Sequence, residues 1–531
     1  MSKIYNTIKH NKIIWLFLYG LSLFSLSVFF TYYIRVMYEP PWLTQSGGTA
    51  TCFIIFNVLA LYGAFICKLH KDKPNLAKAL LVLFIGCAFA FATPPNQAPD
   101  ESSHFMRAYA MYQGEFTFDS GHKYPNAANL FAEDFPVMYN NGYPAKEGHT
   151  IAECFQKYRA DLASGRRVPN MKIIIFQTIP YLFAFLLMSF ASLFSKDILF
   201  MFYVCRLSNV IFYNLCMLIA LKITQRHKNL LFCIGSLPLT LFVISSCNSD
   251  GFLFGLMLLL FALCLRNEFT ENEAIVFMFI FSLLCIHKMN YVIFIVLPLL
   301  YHKEQWKVYD ANGKNEKELV PQWVILMASM LFLMIFALAH NGYTTHYSNY
   351  GPLGRLMPDS DPSEQLKYIF AYPIRFVVIA CDTLLQNNFF LFDGGLFGWL
   401  DVNLKLISVL TPILFLLYCV HETNEFEKQD TPSAVRTVIV FVISSIGIYC
   451  FNLGGLYLTW TPVSLPQIIG LQMRYFIPAF MGLALLLSFT LHRCGVRSTK
   501  SKESILLMST YSLNSLAIYL MLQAYYLPSL I

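Results

Sequence analysis

Long apolar stretches are the feature of this chain that most restricts its fold. A helix needs about 20 apolar residues to cross a bilayer, and about thirteen runs approach that length. Because hydrocarbon offers no partner for the backbone, and the runs are continuous rather than alternating, they predict helices and not barrel strands. We therefore expect an all-α, polytopic transmembrane protein. The runs lie near residues 13–34, 50–67, 78–93, 172–195, 199–221, 229–247, 251–265, 274–300, 321–339, 404–420, 436–455, 475–491 and 505–527.

Composition supports this assignment and argues against other classes. Of the 531 residues, 56% are hydrophobic and 13% are charged, about half the charged share of a soluble domain. The 14 cysteines are scattered through the apolar runs and form no disulfide or metal-binding pattern. The formal charge of +7 comes largely from short basic loops, so it indicates no nucleic-acid partner.

Basic loops predict the orientation of the chain in the membrane. Lysines 3, 9 and 12 before the first run, and lysines 68, 71 and 73 after the second, place both segments in the cytoplasm. Residues 94–171 are then outside. Basic residues in 492–504 are also expected inside, which places Arg474, just before the 475–491 run, on the outer side with Asp100.

The remaining loops give a second outer region and one conflict. The basic loop 301–320 is expected inside, so that residues 340–403 form the second outer loop. The segment 364–388 is then expected to lie at the interface rather than to cross. Residues 222–228 are also basic and prefer the inside, which simple alternation does not allow. Either the 172–195 or the 199–221 segment is therefore expected to lie along the interface.

We expect two parts in the chain. Residues 1–70 form an N-terminal transmembrane hairpin, whose first run lacks a cleavage site and is interpreted as an anchor. Residues 71–531 form the main transmembrane domain with its outer loops.

The polar segment 94–113 directly follows an apolar run and holds the first candidate site. A helix is predicted from Asp100 to Gln113, with Pro99 before it and an aromatic stripe on one face. Asp100, His104 and Arg107 recur at helical spacing on another face, which we expect to line a cleft. Asp100 could accept a proton or hold a metal, although an N-cap role explains it equally well. His104 is interpreted as a helper or a surface residue, and Glu101 falls nearer the stripe.

Arg474 is the second candidate, because it stands just before a predicted span at the level of phosphate head groups. A guanidinium can hold phosphate oxygens bidentately, whereas interfacial anchoring is the commoner use of such an arginine. Its neighbour Tyr475 could bind substrate or belong to an aromatic belt. Asp401, in a glycine-rich outer segment, could bind substrate or cap a loop.

Two ionisable residues near span ends stay undecided. Lys288 interrupts the run 274–300, and an ionisable group there is a functional candidate unless two short helices meet at that point. Asp250 follows Asn248 and Ser249 at an outer span end.

Five segments together resemble the bacterial family called domain of unknown function 2142, over roughly residues 80–490. They are PDESSHFMRAYAMYQG from Pro99, RLSN at Arg206, NSDG at Asn248, FGWLD ending at Asp401, and QMRYFIP around Arg474. That family resembles the GT-C membrane glycosyltransferases, which carry an acidic motif in the first large outer loop. The resemblance implies a GT-C-like fold, juxtamembrane helices in the outer loop, and a catalytic role for Asp100 or Glu101.

The resulting hypothesis is a multi-pass inverting glycosyltransferase of the bacterial cytoplasmic membrane. It would move a sugar from a polyprenyl-phosphate carrier to a glycan or lipid-linked glycan acceptor at the outer face. Asp100, or else Glu101, would be the base, and Arg474 with Arg107 would hold the departing phosphate, with His104, Asp401 and Tyr475 as further substrate contacts. No cofactor is required, and a divalent metal on Asp100 and Glu101 has no further clustered ligand.

Two other functions remain open. A lipid-linked glycan or solute transporter would use Lys288, Asp250 and Arg206 as substrate or coupling residues. The third is a polysaccharide polymerase.

Overall fold

A computed structural model gives the fold of the chain. It describes residues 61–116, 121–135, 151–171, 178–300, 306–307, 324, 326–335, 359–386, 395–398, 402–498 and 503–526. Most of the predicted N-terminal hairpin, residues 1–70, lies outside these described residues, as does Asp401.

The described chain is mostly helical. The helices are α1 Pro74–Ala92, α2 Glu101–Tyr112, α3 Asn126–Asp134, α4 Ile151–Ser164, α5 Leu182–Ala191, α6 Ile198–Ile223, α7 Lys228–Gly235, α8 Pro238–Ile244, α9 Asp250–Cys264, α10 Glu271–His287, α11 Leu326–Ile335, α12 Pro362–Ala371, α13 Pro373–Gln386, α14 Lys405–Phe426, α15 Thr431–Thr459, α16 Phe480–Arg493 and α17 Glu503–Tyr526. Three 3₁₀ segments, Ile179–Tyr181, Met289–Leu300 and Met473–Ala479, precede α5, follow α10 and precede α16.

Six of the described helices are long and apolar enough to cross a membrane, or seven if the bent pair α12–α13 is one span. Five shorter apolar helices of 10–17 residues accompany them. The structure therefore supports a multi-pass membrane protein, but it does not establish the predicted count of thirteen spans.

The first two long helices run antiparallel and define the ends of the bundle. The Asn75 side chain, at the start of α1, donates to the carbonyl of Leu221, near the end of α6, at 3.1 Å. Residues 222–228 therefore lie beside residues 68–73, at what we call the inner end. In the predicted segment 172–195, the described helical stretch is α5, with 10 residues, and the three-residue 3₁₀ segment before it. Together they span about 20 Å, less than a core of about 30 Å, which favours the interface for this stretch.

Two predicted spans are broken helices. In the first, α7 and α8 meet at Ser236 and Leu237, where Pro238 cannot donate to a continuing helix. The Tyr213 hydroxyl donates to the Gly235 carbonyl at 2.7 Å, which satisfies a backbone group that the break exposes. In the second, α10 ends at His287 and the 3₁₀ segment begins at Met289. Lys288 is thus the junction of two short helices, one of the alternatives that the sequence left open.

Helices α2, α3 and α4 fold over the outer end of the bundle. The helix predicted from Asp100 is present as Glu101–Tyr112. Its aromatic stripe packs against protein, because Phe105 contacts Phe131 and Phe202 edge-on with ring centroids 5.6 and 5.2 Å apart. The first outer loop is therefore an ordered helical cap in its described part.

The second outer region contains a sharply bent helix pair. Helices α12 and α13 meet at an angle of 108°, and apolar side chains on them face outward, with Phe370 77% and Ile374 80% exposed. This geometry fits the expectation that 364–388 lies at the interface.

Two short sheets complete the described structure. Strands β1 Phe269–Thr270 and β2 Trp306–Lys307 pair in parallel, and strands β3 Leu396–Phe397 and β4 Val402–Asn403 pair antiparallel. The second pair contributes Leu396 and Gly398 to a cleft at the outer end.

Candidate functional site

Asp100 stands at the entrance of α2 in a strained conformation. Its backbone is left-handed, with φ 60° and ψ 12°, although it is not glycine. The carboxylate caps no backbone N–H of the helix, and the residue is exposed. The N-cap explanation of Asp100 therefore fails. Left-handed non-glycine residues cost about 1–3 kcal/mol and cluster at functional sites.

Glu101, its neighbour, is committed to an ion pair. It is fully buried beside the equally buried Arg206, whose Nε and Nη2 donate to Oε1 and Oε2 at 2.8 and 2.7 Å. The backbone N–H of Cys247 also donates to Oε1, at 2.9 Å. Both carboxylate oxygens are thus occupied, so Glu101 is poorly placed to accept a proton from a substrate.

Arg206 joins the outer segments to the bundle. Its Nη1 donates to the carbonyls of Ala90 and Thr93 at 2.7 and 2.5 Å, and its Nη2 donates to that of Pro94 at 2.9 Å. These carbonyls lie at the end of α1, where the helix itself supplies no partners. From the sequence, Arg206 was a candidate residue of a transporter, but the structure gives it a positioning role for the segment before Asp100.

The segment before Asp250 is held by the same part of α6. The side chain of Asn209 donates to the carbonyls of Ser246 and Asn248 at 2.8 and 3.0 Å. The Asn248 side chain in turn accepts from the N–H of Gly251 at 3.0 Å. The RLSN segment therefore fixes both acidic segments at the outer end.

Asp250 connects two cations. Its Oδ1 is 2.5 Å from the Lys288 ammonium, and its Oδ2 is 3.4 Å from Nη1 of Arg474. Asp250 is 4% exposed, whereas the Lys288 side chain is 31% exposed. Asp100 acts electrostatically on Arg474, so the two residues lie in the same region at the outer end of the bundle.

Arg474 borders an amphipathic cleft. The cleft has a volume of about 20 Å³, room for about one water molecule, and is lined by Pro99, beside Asp100, and by Arg474. Its other walls are mainly apolar and include Leu239, Phe242 and Met473. The Nε of Arg474 is buried and makes no hydrogen bond within the described chain. This donor is therefore available to a ligand.

Tyr475 supports both cations from one side. The centroid of its ring is 5.4 Å from the Lys288 nitrogen and 5.5 Å from the guanidinium carbon of Arg474. A ring face attracts cations by about 0.5–2 kcal/mol. Tyr475 thus orients the two positive groups.

His104 lies next to this group as a neutral side chain. Burial lowers the pKa of His104 to about 4, and the nearby Asp100 and Asp250 oppose that shift only in part. Its Nδ1 hydrogen-bonds the Tyr181 hydroxyl. At neutral pH it adds no charge to the site.

The structure places Arg107 elsewhere in the cap. Its guanidinium is buried and donates to the carbonyls of Glu115 and Phe116 at 3.2 and 2.9 Å, and to the Thr178 hydroxyl at 2.8 Å. These bonds tie α2 to the segment before α5. A phosphate-binding role for Arg107 therefore has no structural support.

Two residues of the site were functional candidates in the sequence, but they were not predicted to lie near Arg474. Asp250 and Lys288 were assigned to the transporter alternative, whereas the structure brings both to Arg474. The signal was present, because an ionisable residue at a span end needs a partner of opposite charge. The sequence offered no means of choosing which partner.

A divalent metal on Asp100 and Glu101 does not fit this geometry. Glu101 gives both oxygens to Arg206 and Cys247. Within the described residues, no group of three or more His, Cys, Asp or Glu side chains could hold a metal ion. We derive no step through a metal.

Comparison with known families agrees with the resemblance seen in the sequence. Residues 83–483 match the family model described as Predicted membrane protein (DUF2142), and the chain belongs to that family. No curated protein and no solved structure gives a significant match.

Proposed function

We propose that this member of the DUF2142 family is an inverting glycosyltransferase. It would transfer a sugar from a polyprenyl-phosphate carrier to a hydroxyl of a glycan acceptor at the outer face of a bacterial cytoplasmic membrane. The observation that carries the proposal is the exposed, uncapped Asp100 next to Pro99, which lines one cleft together with Arg474.

The base in this proposal is Asp100. A general base must reach the proton of the attacking hydroxyl, which requires an accessible carboxylate. Asp100 is exposed and caps no helix N–H, whereas Glu101 is enclosed by Arg206 and Cys247. The strained backbone at Asp100 is consistent with a functional constraint.

Arg474 and Lys288 suit a departing phosphate. Asp250 holds both cations, which keeps them together before substrate binds. The buried Nε of Arg474 still has a hydrogen to donate, and preorganised donors of this kind stabilise the charge that develops on a leaving group.

The proposed step is a single displacement. The acceptor hydroxyl oxygen forms a bond to the anomeric carbon, the bond from that carbon to the phosphate oxygen breaks, and the hydroxyl proton moves to Asp100. Polyprenyl phosphate leaves with the bonding electron pair and is held by Arg474 and Lys288. A phosphate leaving group needs no strong general acid, so one carboxylate suffices.

The test is transfer by the full chain in liposomes that contain a panel of labelled polyprenyl-phosphate sugars, with release of polyprenyl phosphate as the readout. Asp100→Asn should lower the rate by about 10²–10⁴-fold. Asp359→Asn is the matched control, because Asp359 is also an exposed left-handed aspartate, with φ 67°. Equal rates for the wild type and Asp100→Asn would refute the proposed base.

A transporter is the second candidate, and one observation favours it. The junction at Lys288 joins two short helices and contacts Asp250, and discontinuous helices often form transporter binding sites. In that case Lys288→Gln should abolish uptake into liposomes, while Asp100→Asn should leave uptake unchanged. The two variants therefore separate the two functions.

A further inference from the structure

A second polar cleft lies at the inner end of the bundle. Its volume is about 560 Å³. Its walls come from the ends of four elements and are mostly charged or amide side chains: His70, Lys71, Asn229, His421, Glu422, Asn424, Glu425, Lys428, Glu503 and Ser504. A polar lining is ordinary at the ends of membrane helices, so only a side chain of the cleft that is itself buried and lacks donors points to a ligand.

Most ionisable side chains of this cleft have partners. Glu503 accepts from Asn229 at 2.9 Å and is 3.4 Å from His70. Glu425 accepts from Lys428 at 2.5 Å. These contacts give Glu503 and Glu425 a structural role. One carboxylate of the cleft has no such role.

That carboxylate is Glu422. It is 1% exposed and lines the cleft, yet neither of its oxygens accepts a hydrogen bond within the described chain. A buried carboxylate without donors is costly, because it loses the hydration that the unfolded chain gives it. Lys78 and Lys428 act on it at longer range, but their ammonium groups bond Asn229 and Glu425 instead.

His227 is the nearest group of possible positive charge. Its Nδ1 lies 3.3 Å from Oε1 of Glu422, without hydrogen-bond alignment. The amide nitrogen of Gln429 is 3.0 Å from Nε2 of His227 and also donates to the Glu425 carbonyl. Among the described residues, the contact with His227 is thus the ion-pair contact of Glu422, and neither carboxylate oxygen accepts an aligned hydrogen bond.

We propose that the inner cleft binds a primary ammonium group on Glu422. An ammonium carries three N–H donors, which suit two orphan carboxylate oxygens and the unbonded Nδ1 of His421. The ammonium could belong to the head group of an aminophospholipid in the adjacent leaflet or to a soluble amine. This inference does not depend on the proposed transfer reaction.

The test uses the full chain in phosphatidylcholine nanodiscs, with the thermal unfolding midpoint as the readout. Ethanolamine should raise the midpoint and saturate, whereas choline, which has no N–H, should not. Glu422→Gln should weaken the apparent affinity for ethanolamine at least about tenfold, while Glu425→Gln, from the same cleft, should retain it.

Nanodiscs of phosphatidylethanolamine separate the two sources of the ammonium. Stabilisation by ethanolamine in phosphatidylcholine supports a soluble amine, and stabilisation only by phosphatidylethanolamine, lost in Glu422→Gln, supports a lipid head group. If neither ethanolamine nor phosphatidylethanolamine stabilises the wild type, the proposal is overturned, as it is by equal stabilisation by choline and ethanolamine. The wild-type comparison decides even if Glu422→Gln does not fold.

Discussion

The outer and inner ends of the bundle treat buried carboxylates differently. At the outer end, Glu101 and Asp250 are both buried and both contact cations, while the unoccupied carboxylate, Asp100, is exposed. At the inner end, Glu503 is paired, whereas the buried Glu422 contacts His227 but accepts no hydrogen bond within the described chain. Buried carboxylates with a full set of donors hold the fold, and the two carboxylates that lack donors are the ones for which we propose a ligand.

The largest expected effect concerns Glu101. Glu101→Ala should destabilise the protein by about 3–5 kcal/mol, because it leaves the guanidinium of Arg206 buried without its carboxylate. Unfolding in mixed micelles would measure this. Asp100→Ala, at the adjacent exposed position, is the matched comparison and should cost far less. Similar losses of stability in Glu101→Ala and Asp100→Ala would contradict the distinction between a buried, paired carboxylate and an exposed one.

The next effect concerns the cation of the outer cleft. Arg474→Ala should lower transfer by about 10²–10³-fold, because it removes a preorganised donor to the leaving phosphate. Labelled-donor assays in liposomes would measure the rate. The control is Arg375→Ala. Arg375 lies in α13, with its guanidinium over the ring of Tyr368 in α12, and its removal should leave the rate of transfer nearly unchanged. A comparable loss in both variants would indicate a general effect of removing outer arginines.

A smaller effect tests the strained backbone at Asp100. Since φ is 60°, Asp100→Gly should be more stable than Asp100→Ala by about 1 kcal/mol. Both variants should lack transfer, so stability and activity separate at this position. Denaturation of the two variants side by side would measure the difference, and equal stability would mean that the left-handed conformation is absent.

The smallest effect concerns pH. The native pKa of His104 is about 4, below its ordinary value of 6.5, so between these values the unfolded chain takes up a proton that the native chain does not. The contribution of His104 to the folding stability is therefore complete above pH 6.5 and declines as the pH falls toward 4. In His104→Asn, the unfolding midpoint should depend less on pH in that window.

A second histidine of the outer helical cap provides the control for that experiment. His122 lies in the same outer cap and hydrogen-bonds Gln113, so His122→Asn should leave the profile close to that of the wild type. An unchanged profile in His104→Asn would contradict the lowered pKa.

Local patterns were sufficient for much of the fold. The helix after Asp100 is present as predicted, and the long apolar runs produced α1, α6, α14 and α15 close to their expected bounds. Periodicity and apolar length act within one segment, so a single sequence reveals them. The same reasoning did not fix the number of spans, because short and broken helices such as α7 and α8 give one continuous apolar signal.

The sequence by itself determined a helical membrane protein, and it predicted that Asp100 and Arg474 share one side of the membrane. Only the tertiary structure decided that Glu101 belongs to Arg206, that Asp250 and Lys288 join Arg474, and that Glu422 accepts no hydrogen bond from the described residues. The ion pairs join residues that are 38 to 224 positions apart in the sequence. Composition alone would allow many other pairings. Packing of the helices selects one of them, because a charge buried among helices is stable only where an opposite charge or a donor reaches it.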